Sequence, residues 1–190
     1  MRVIAGIYRR MTLQGPEGLD ARPTADRLRE TIFNILQFDI EGARFLDLCT
    51  GSGAIGIEAL SRGAAHATLV DKSRQMTALA LANLNHCRVP EDEYRLVAAD
   101  ALAFLQTAAA TNTEPWDLIY YDPPYQNEYL PVLEFIGESV EKLLNVNGRL
   151  MVEHSRKQTL PDQTGPLRLD RTVKQAESQI SFYQIPDVAG

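Results

Sequence analysis

Two groups of residues in this 190-residue chain could carry chemistry, and the sharper is Asp122-Pro123-Pro124-Tyr125, directly after the apolar run Leu118-Ile119-Tyr120-Tyr121. Two prolines remove two backbone donors and end a strand ladder, and a residue before proline is held extended. The loop therefore offers acceptors, the Asp122 carboxylate and nearby main-chain carbonyls, and no donors. An amino group on an aromatic base needs such surroundings. Its lone pair is delocalised into the ring. Accepting a hydrogen bond from each N–H orients the nitrogen and offsets the positive charge that grows as it attacks. A carboxylate with an ordinary pKa of ~3.9 is too weak a base to deprotonate a neutral amine. Asp122 is thus expected to take a proton during or after the transfer. Pro123 would shape the pocket, and Tyr125 could stack on the base, a contact worth ~1–3 kcal/mol in single-strand binders.

The second group is Asp47-Leu48-Cys49-Thr50-Gly51-Ser52-Gly53-Ala54-Ile55-Gly56. Gly51, Gly53 and Gly56 have the G-x-G-x-x-G spacing, which lets the backbone turn tightly beneath a ligand at a helix N-terminus. Asp71, followed by Lys72, ends the next apolar run, where a carboxylate can accept bonds from ribose hydroxyls. Asp100, followed by Ala101, ends the one after and could accept from an adenine amine. The glycine spacing alone does not separate a dinucleotide from another nucleoside cofactor. Asp47 discriminates: a fixed negative charge before the loop repels a pyrophosphate and suits the ammonium and sulfonium of S-adenosylmethionine (AdoMet). The cofactor contacts expected are Asp47, Thr50, Gly51, Ser52, Gly53, Asp71, Lys72, Asp100 and Ala101.

Alternating elements must position both groups. Strands are predicted over Phe45–Leu48, Ala67–Val70, Tyr94–Ala98, Asp117–Tyr121 and Arg149–Glu153. Helices are predicted over Ile55–Ser61, Arg74–Asn85, Leu102–Ala110 and Leu130–Leu144, with a turn at Asn147-Gly148 and a plain loop from Thr159 to Pro166. Such alternation calls for a parallel sheet with helices on both faces, a Rossmann-like α/β fold. Both loops would then leave carboxyl ends of strands. Two further strand-like runs, Leu167–Val173 and Ser178–Ile185, form an expected antiparallel pair. Ahead of the core, residues 2–13 suggest a short hairpin or arm, and 14–23 a loop. Thr24 offers a helix cap, and Leu28, Ile32, Ile35 and Leu36 define one face of a helix over Ala25–Gln37. A single domain is expected, with residues 1–38 as an N-terminal extension and 39–190 as the core.

Composition narrows the class. The chain is 45% hydrophobic and 23% charged, values of an ordered globular protein rather than a disordered one. Cys49 and Cys87 have no metal-ligand spacing. The N-terminal residues lack the apolar run of a signal peptide, and no stretch approaches the ~20 apolar residues of a membrane span. A cytoplasmic protein is expected, with no membrane and no metal. The net charge of −6 argues against nonspecific binding of nucleic acid. It is segregated, however. Residues 1–30 carry Arg2, Arg9, Arg10, Arg22, Arg27 and Arg29 against four carboxylates. Arg9, Arg10, Arg22 and Arg27 are the candidate phosphate contacts, which position a nucleic acid without reading its sequence. Arg27 and Arg29 could instead pair with Asp26, Glu30 or core carboxylates.

Taken together, these residues resemble the class I AdoMet methyltransferases. Arg2-Val3-Ile4-Ala5-Gly6, Arg22-Pro23-Thr24, Asp26-Arg27, Arg29-Glu30-Thr31, Phe33-Asn34-Ile35-Leu36 and Gly51 through Ala64 look like the bacterial 16S rRNA guanine-N2 methyltransferases of the RsmD type, as does the Asp-Pro-Pro-Tyr loop. The resemblance implies a seven-stranded sheet with an antiparallel last strand, AdoMet as methyl donor and no metal. It further implies transfer to the N2 amine of a guanine in 16S rRNA, within a small-subunit particle, by a monomer. Asp122, Pro123 and Tyr125 would meet the base. One departure is Ala176-Glu177-Ser178, where the family's pattern has a glycine in the last hairpin. Other substrates for the same chemistry are adenine N6 or cytosine N4 in DNA, or a protein glutamine. A non-catalytic AdoMet-binding assembly factor and a nicotinamide-dependent dehydrogenase are the alternatives of other classes. The intact Asp122 and Tyr125 argue against the former, Asp47 and the prolines against the latter.

Overall fold

The structure, a computed structural model, describes residues 1–16, 23–111, 113–124 and 129–186. The chain divides into two compact units, Met1–Asp100 and Ala101–Gly190.

The first unit begins with an arm folded back on itself. Arg2 bridges Thr12, Val3 N donates to Met11 O at 3.0 Å and Arg10 N to Val3 O at 2.9 Å. Helix α1 (Pro23–Ile35) follows. It starts two residues before the predicted helix and ends two residues earlier, because Pro23 is suited to a first helical position and needs no donor there. Thr24 is therefore inside the helix rather than its cap. Leu28, Ile32, Phe33 and Leu36 are buried, and Phe33 stacks on Phe45 with ring centroids 6.2 Å apart. Then come β1 (Arg44–Leu48), α2 (Ala54–Ser61), β2 (His66–Asp71), α3 (Arg74–Cys87), a 3₁₀ turn at Glu91–Glu93 and β3 (Tyr94–Ala98). The three strands are parallel in the order β3-β2-β1, with Asp47 beside Leu69 and Asp71 beside Ala98. Phe45, Leu46, Leu48, Ala67, Leu69 and Val70 are wholly buried, as expected of strands covered on both faces.

The second unit holds α4 (Ala101–Ala110), β4 (Trp116–Tyr121), α5 (Leu130–Glu138), α6 (Val140–Leu143), β5 (Leu144–Ser155), β6 (Gln163–Thr164), β7 (Leu167–Gln175) and β8 (Ser178–Gln184). β4 and β5 are parallel, while β8, β7 and β6 continue from β5 antiparallel. The described residues thus contain eight strands rather than seven, the extra one being two-residue β6. It falls in the stretch predicted as a plain loop. Gly165 at φ 56° makes the tight turn, and Thr164 Oγ1 donates to Leu133 O at 2.9 Å. The predicted helix 130–144 breaks at Ser139, and β5 begins as early as Leu144. The predicted Asn147-Gly148 turn is a bulge inside β5: Trp116 pairs with Leu144 and Leu118 with Arg149, so four residues bow out opposite Asp117. A Cβ on Gly148 would lie 2.8 Å from Asp117 O, and Asn145 Nδ2 donates to the Asp117 carboxylate at 2.6 Å. The last antiparallel pair forms as predicted. Its turn dispenses with glycine by holding Ala176 at φ 49°, while Arg156 captures both turn carbonyls, its N–H at Glu177 O (3.0 Å) and its guanidinium at Ala176 O (3.1 Å).

Candidate active site

The glycine loop leaves β1 after Leu48, one residue beyond Asp47, and opens α2. Three residues in a row of alternates, Cys49, Gly51 and Gly53, have positive φ (65°, 55° and 80°). This curls the loop back beneath Val70, whose carbonyl accepts from Thr50 N at 3.0 Å. The three glycines of the motif do different work. A Cβ on Gly51 would meet nothing within 4 Å, so this residue faces open space where a ligand can come close. On Gly53 it would press on Ala80 at 3.2 Å, and on Gly56 it would overlap Leu69 at 2.9 Å. These two glycines let α2 pack on α3 and β2.

Asp47 is buried at 1% exposure. Its Oδ2 accepts from Thr50 Oγ1 at 2.6 Å and from Gly56 N at 3.0 Å. Burial pushes its pKa up to about 6, against the lowering effect of those two bonds. A cation placed beside it would restore the charge, because an opposite charge favours the ionised form. The environment thus fits a positively charged ligand group and disfavours an anionic one. Asp71 ends β2 with both oxygens engaged: Oδ2 accepts from Gly51 N at 2.9 Å and Oδ1 from Ser73 N at 2.8 Å. Each oxygen keeps a further lone pair for a hydroxyl donor. The carboxylate therefore also props the loop, a role that spacing alone did not suggest. Thr50 and Ser52 are buried, Lys72 and Asp100 exposed, and Ala101 is the buried first residue of α4. The loop, Asp71 and the end of β3 lie together in the first unit. No cluster of metal-ligating residues occurs among the described residues.

Asp122, Pro123 and Pro124 lie in the second unit, just beyond the carboxyl end of β4. Asp122 is half-buried and Pro123 buried. Tyr125 lies outside the described residues. At the neighbouring strand end, Tyr120 donates from its hydroxyl to Glu153 Oε2 at 2.5 Å. Burial raises the Glu153 pKa despite that bond and a second one from Ser178.

Of the candidate phosphate contacts, Arg9, Arg10 and Arg27 are exposed and line one open groove of about 510 Å³, together with Arg2, Asp26 and Glu30. Arg22 lies outside the described residues. Arg29 serves the interior: it is 4% exposed, donates to Arg2 O at 2.6 Å and pairs with Asp26 at 3.0 Å and Glu58 at 3.7 Å. Sequence reasoning missed Glu58. It is fully buried in α2, its oxygens accept from Ile4 N (2.8 Å) and Ala5 N (3.1 Å), and it pairs with Arg62 at 2.7 Å. A carboxylate inside the apolar run Ile55–Leu60 was the available signal, since acids are almost never fully buried unless paired.

A glycine turn after the first parallel strand, a buried acid before it and a second acid ending the next strand define, with this fold, a class I, Rossmann-like methyltransferase. Residues 1–184 match the family described as conserved hypothetical protein 95, and the chain belongs to that family, the RsmD family inferred from sequence. The Bacillus subtilis protein named "Putative rRNA methyltransferase YlbH" is 33% identical over 186 residues, 97% of this chain and 98% of that protein. Ribosomal RNA small subunit methyltransferase D of Escherichia coli is 37% identical over 153 residues, 80% of this chain and 71% of its own length. The solved structure "Putative methyltransferase yhhF from Escherichia coli" superposes with a TM-score of 0.83 at 32% identity, covering 97% of both chains. Among the described residues, no helix is long and apolar enough to cross a membrane.

Proposed function

We propose that this chain transfers the methyl group of AdoMet to the N2 amine of a guanine in small-subunit rRNA. The observation that carries the proposal is the acid-floored glycine loop: a buried carboxylate, Asp47, under a turn whose first glycine faces open space. When bound, AdoMet supplies an electrophilic methyl on a sulfonium. Asp47 would face its cationic end, Gly51–Gly53 would let it approach the backbone, and Asp71 would receive its ribose hydroxyls. Asp100, Lys72 and Ala101 would border the adenine end.

Asp122 accepts the N–H bonds of the target amine, orients its lone pair and receives the proton once the nitrogen has become cationic. Pro123 and Tyr125 hold the base plane. Catalysis by positioning and charge stabilisation needs no covalent enzyme intermediate. Arg9, Arg10, Arg22 and Arg27 would meet phosphates. The groove's own carboxylates, Asp26 and Glu30, keep affinity for free RNA low, in keeping with a substrate already shaped within a ribosomal particle. The relatives' names, rRNA methyltransferase and ribosomal RNA small subunit methyltransferase D, support the substrate class. A loop guanine is the cheaper target, because freeing a base from a duplex costs a few kcal/mol.

Mass spectrometry of nucleosides from the rRNA of a strain lacking the gene tests substrate and reaction together; N2-methylguanosine should be reduced by one site. In vitro, Asp122→Ala should lower turnover about 10²-fold or more while leaving AdoMet affinity near normal. A variant keeping a tenth of wild-type rate removes Asp122 from its role. The buried acid gives a second test. With a pKa of about 6, Asp47 is roughly one-tenth ionised at pH 5 and nine-tenths at pH 7. AdoMet affinity, measured by calorimetry, should therefore rise about tenfold between those values and level off above. A flat profile would place the ligand's cation elsewhere.

A further inference from the structure

Asn83 is a polar side chain where the pattern of α3 calls for an apolar one. Its stripe-mates Ala80, Leu84 and Cys87 are buried, and Asn83 itself is 1% exposed. A primary amide is costly to bury without partners, and this one is bonded three times. Its Oδ1 accepts from Gln14 N at 2.8 Å; its Nδ2 donates to Gln14 O at 3.0 Å and to Ser52 O at 2.9 Å. Both donor hydrogens are thereby used. Gln14 is where the N-terminal arm ends, and Ser52 stands between Gly51 and Gly53. One amide thus grips the base of the arm with one edge and the glycine loop with the other.

The gripped group matters. Ser52 stands between two glycines of positive φ, Gly51 and Gly53, so the Ser52–Gly53 peptide lies in backbone with little stiffness of its own. Its two polar atoms are held from opposite sides: Gly53 N donates to Thr50 O at 2.9 Å, and Ser52 O is held by Asn83. Losing the second bond frees the plane to rotate and reshapes the loop. The arm reaches the same residue by another contact, Met1 Sδ lying 3.6 Å from Ser52 Oγ.

We infer that Asn83 is a positioning residue that couples the seating of the N-terminal arm to the shape of the cofactor loop, so that an arm seated on α2 raises cofactor affinity and a bound cofactor steadies the arm. Reciprocity follows because coupling between two sites is a single free energy. The inference rests on the proposed placement of AdoMet on the Gly51–Gly53 loop.

A double-mutant cycle tests it, with S-adenosylhomocysteine as the probe, calorimetry as the readout and thermal denaturation to confirm that each protein is folded at the assay temperature. Gly6→Ala unseats the arm, since the added Cβ would fall 1.6 Å from Ser61 O. Asn83→Ala removes the link. Each single variant should bind the probe about five- to tenfold more weakly than wild type, and the double variant no more weakly than Asn83→Ala alone. Losses that simply multiply overturn the coupling, as does a folded Asn83→Ala that binds within twofold of wild type. Should Asn83→Ala not fold, Asn83→Asp, which keeps the acceptor for Gln14 N and loses both donors, takes its place with the same expected outcomes. A wild-type chain that does not bind the probe overturns the cofactor placement and this inference with it; binding by wild type with additive losses overturns the inference alone.

Discussion

The chain folds back in a hairpin near each end, and the two are stabilised in opposite ways. β7 and β8 pair at seven positions from Arg168–Gln184 to Gln175–Ser178, and β8 also pairs with β5 along its length. With this long ladder, interrupted only at a register shift between Leu169 and Arg171, and with Arg156 on the turn carbonyls, the turn tolerates a left-handed alanine. The N-terminal arm has a single bridge, Arg2 to Thr12. Beyond a few backbone bonds of its own, its shape is held from α2: Glu58 accepts Ile4 N and Ala5 N, Ser61 Oγ accepts from Tyr8 N at 2.9 Å and donates to Ala5 O at 2.5 Å, and Ile7 N donates to Ser61 O at 2.8 Å. Where a ladder is long, the local residue choice matters little. Where it is short, polar residues on another element must hold the backbone, and the close approach admits only glycine.

The largest effect that would break this contrast is at Glu58. Glu58→Ala leaves two backbone N–H groups and the Arg62 guanidinium without their acceptor and removes one of the two carboxylates beside buried Arg29, so stability should fall by about 3–5 kcal/mol, measured by urea unfolding. A loss under about 1 kcal/mol would mean that the arm holds itself. Next is Gly6→Ala. Its φ of 81° and the backbone clash cannot both be relieved with the arm seated. A loss of about 1–3 kcal/mol is expected, together with rapid hydrogen exchange at the Ile7 amide; unchanged protection of that amide would contradict the docking. The smallest effect has the opposite sign. Ala176→Gly should stabilise by about 0.5–1 kcal/mol, because the left-handed strain of alanine outweighs the extra unfolded-state freedom of glycine. A destabilised variant would show that the hairpin does not bear the strain assigned to it.

Much of the core was legible in advance. The apolar strand runs, the helices between the first four strands and the closing antiparallel pair fall close to where predicted, because burial on two faces writes itself as short continuous apolar segments; the helix predicted over Leu130–Leu144 instead breaks at Ser139, and β5 starts at Leu144. The misses are short-range. Two-residue β6 is too brief to show a period, and the Asn147-Gly148 bulge mimics a turn because Gly148 answers to Leu144 and Asp117 rather than to its own loop. At the site, residue types were legible and their partners were not. Asp47 and Asp71 were expected to serve the ligand; each also holds the loop through backbone N–H groups. For Arg29 the sequence left two readings open, a basic surface or pairing with Asp26 and core carboxylates, and burial selected the second.

By itself, the sequence determined the order of elements, the glycine turn after the first strand and the acids at the strand ends, since all of these follow from patterns within a few consecutive residues. Only the tertiary structure decided which polar groups face outward and which bind the chain to itself. Glu58 to Ile4, and Asn83 to Gln14 and Ser52, are contacts across 54, 69 and 31 positions. A buried hydrogen bond forms between whichever groups packing brings to within about 3 Å, and no local spacing records that meeting.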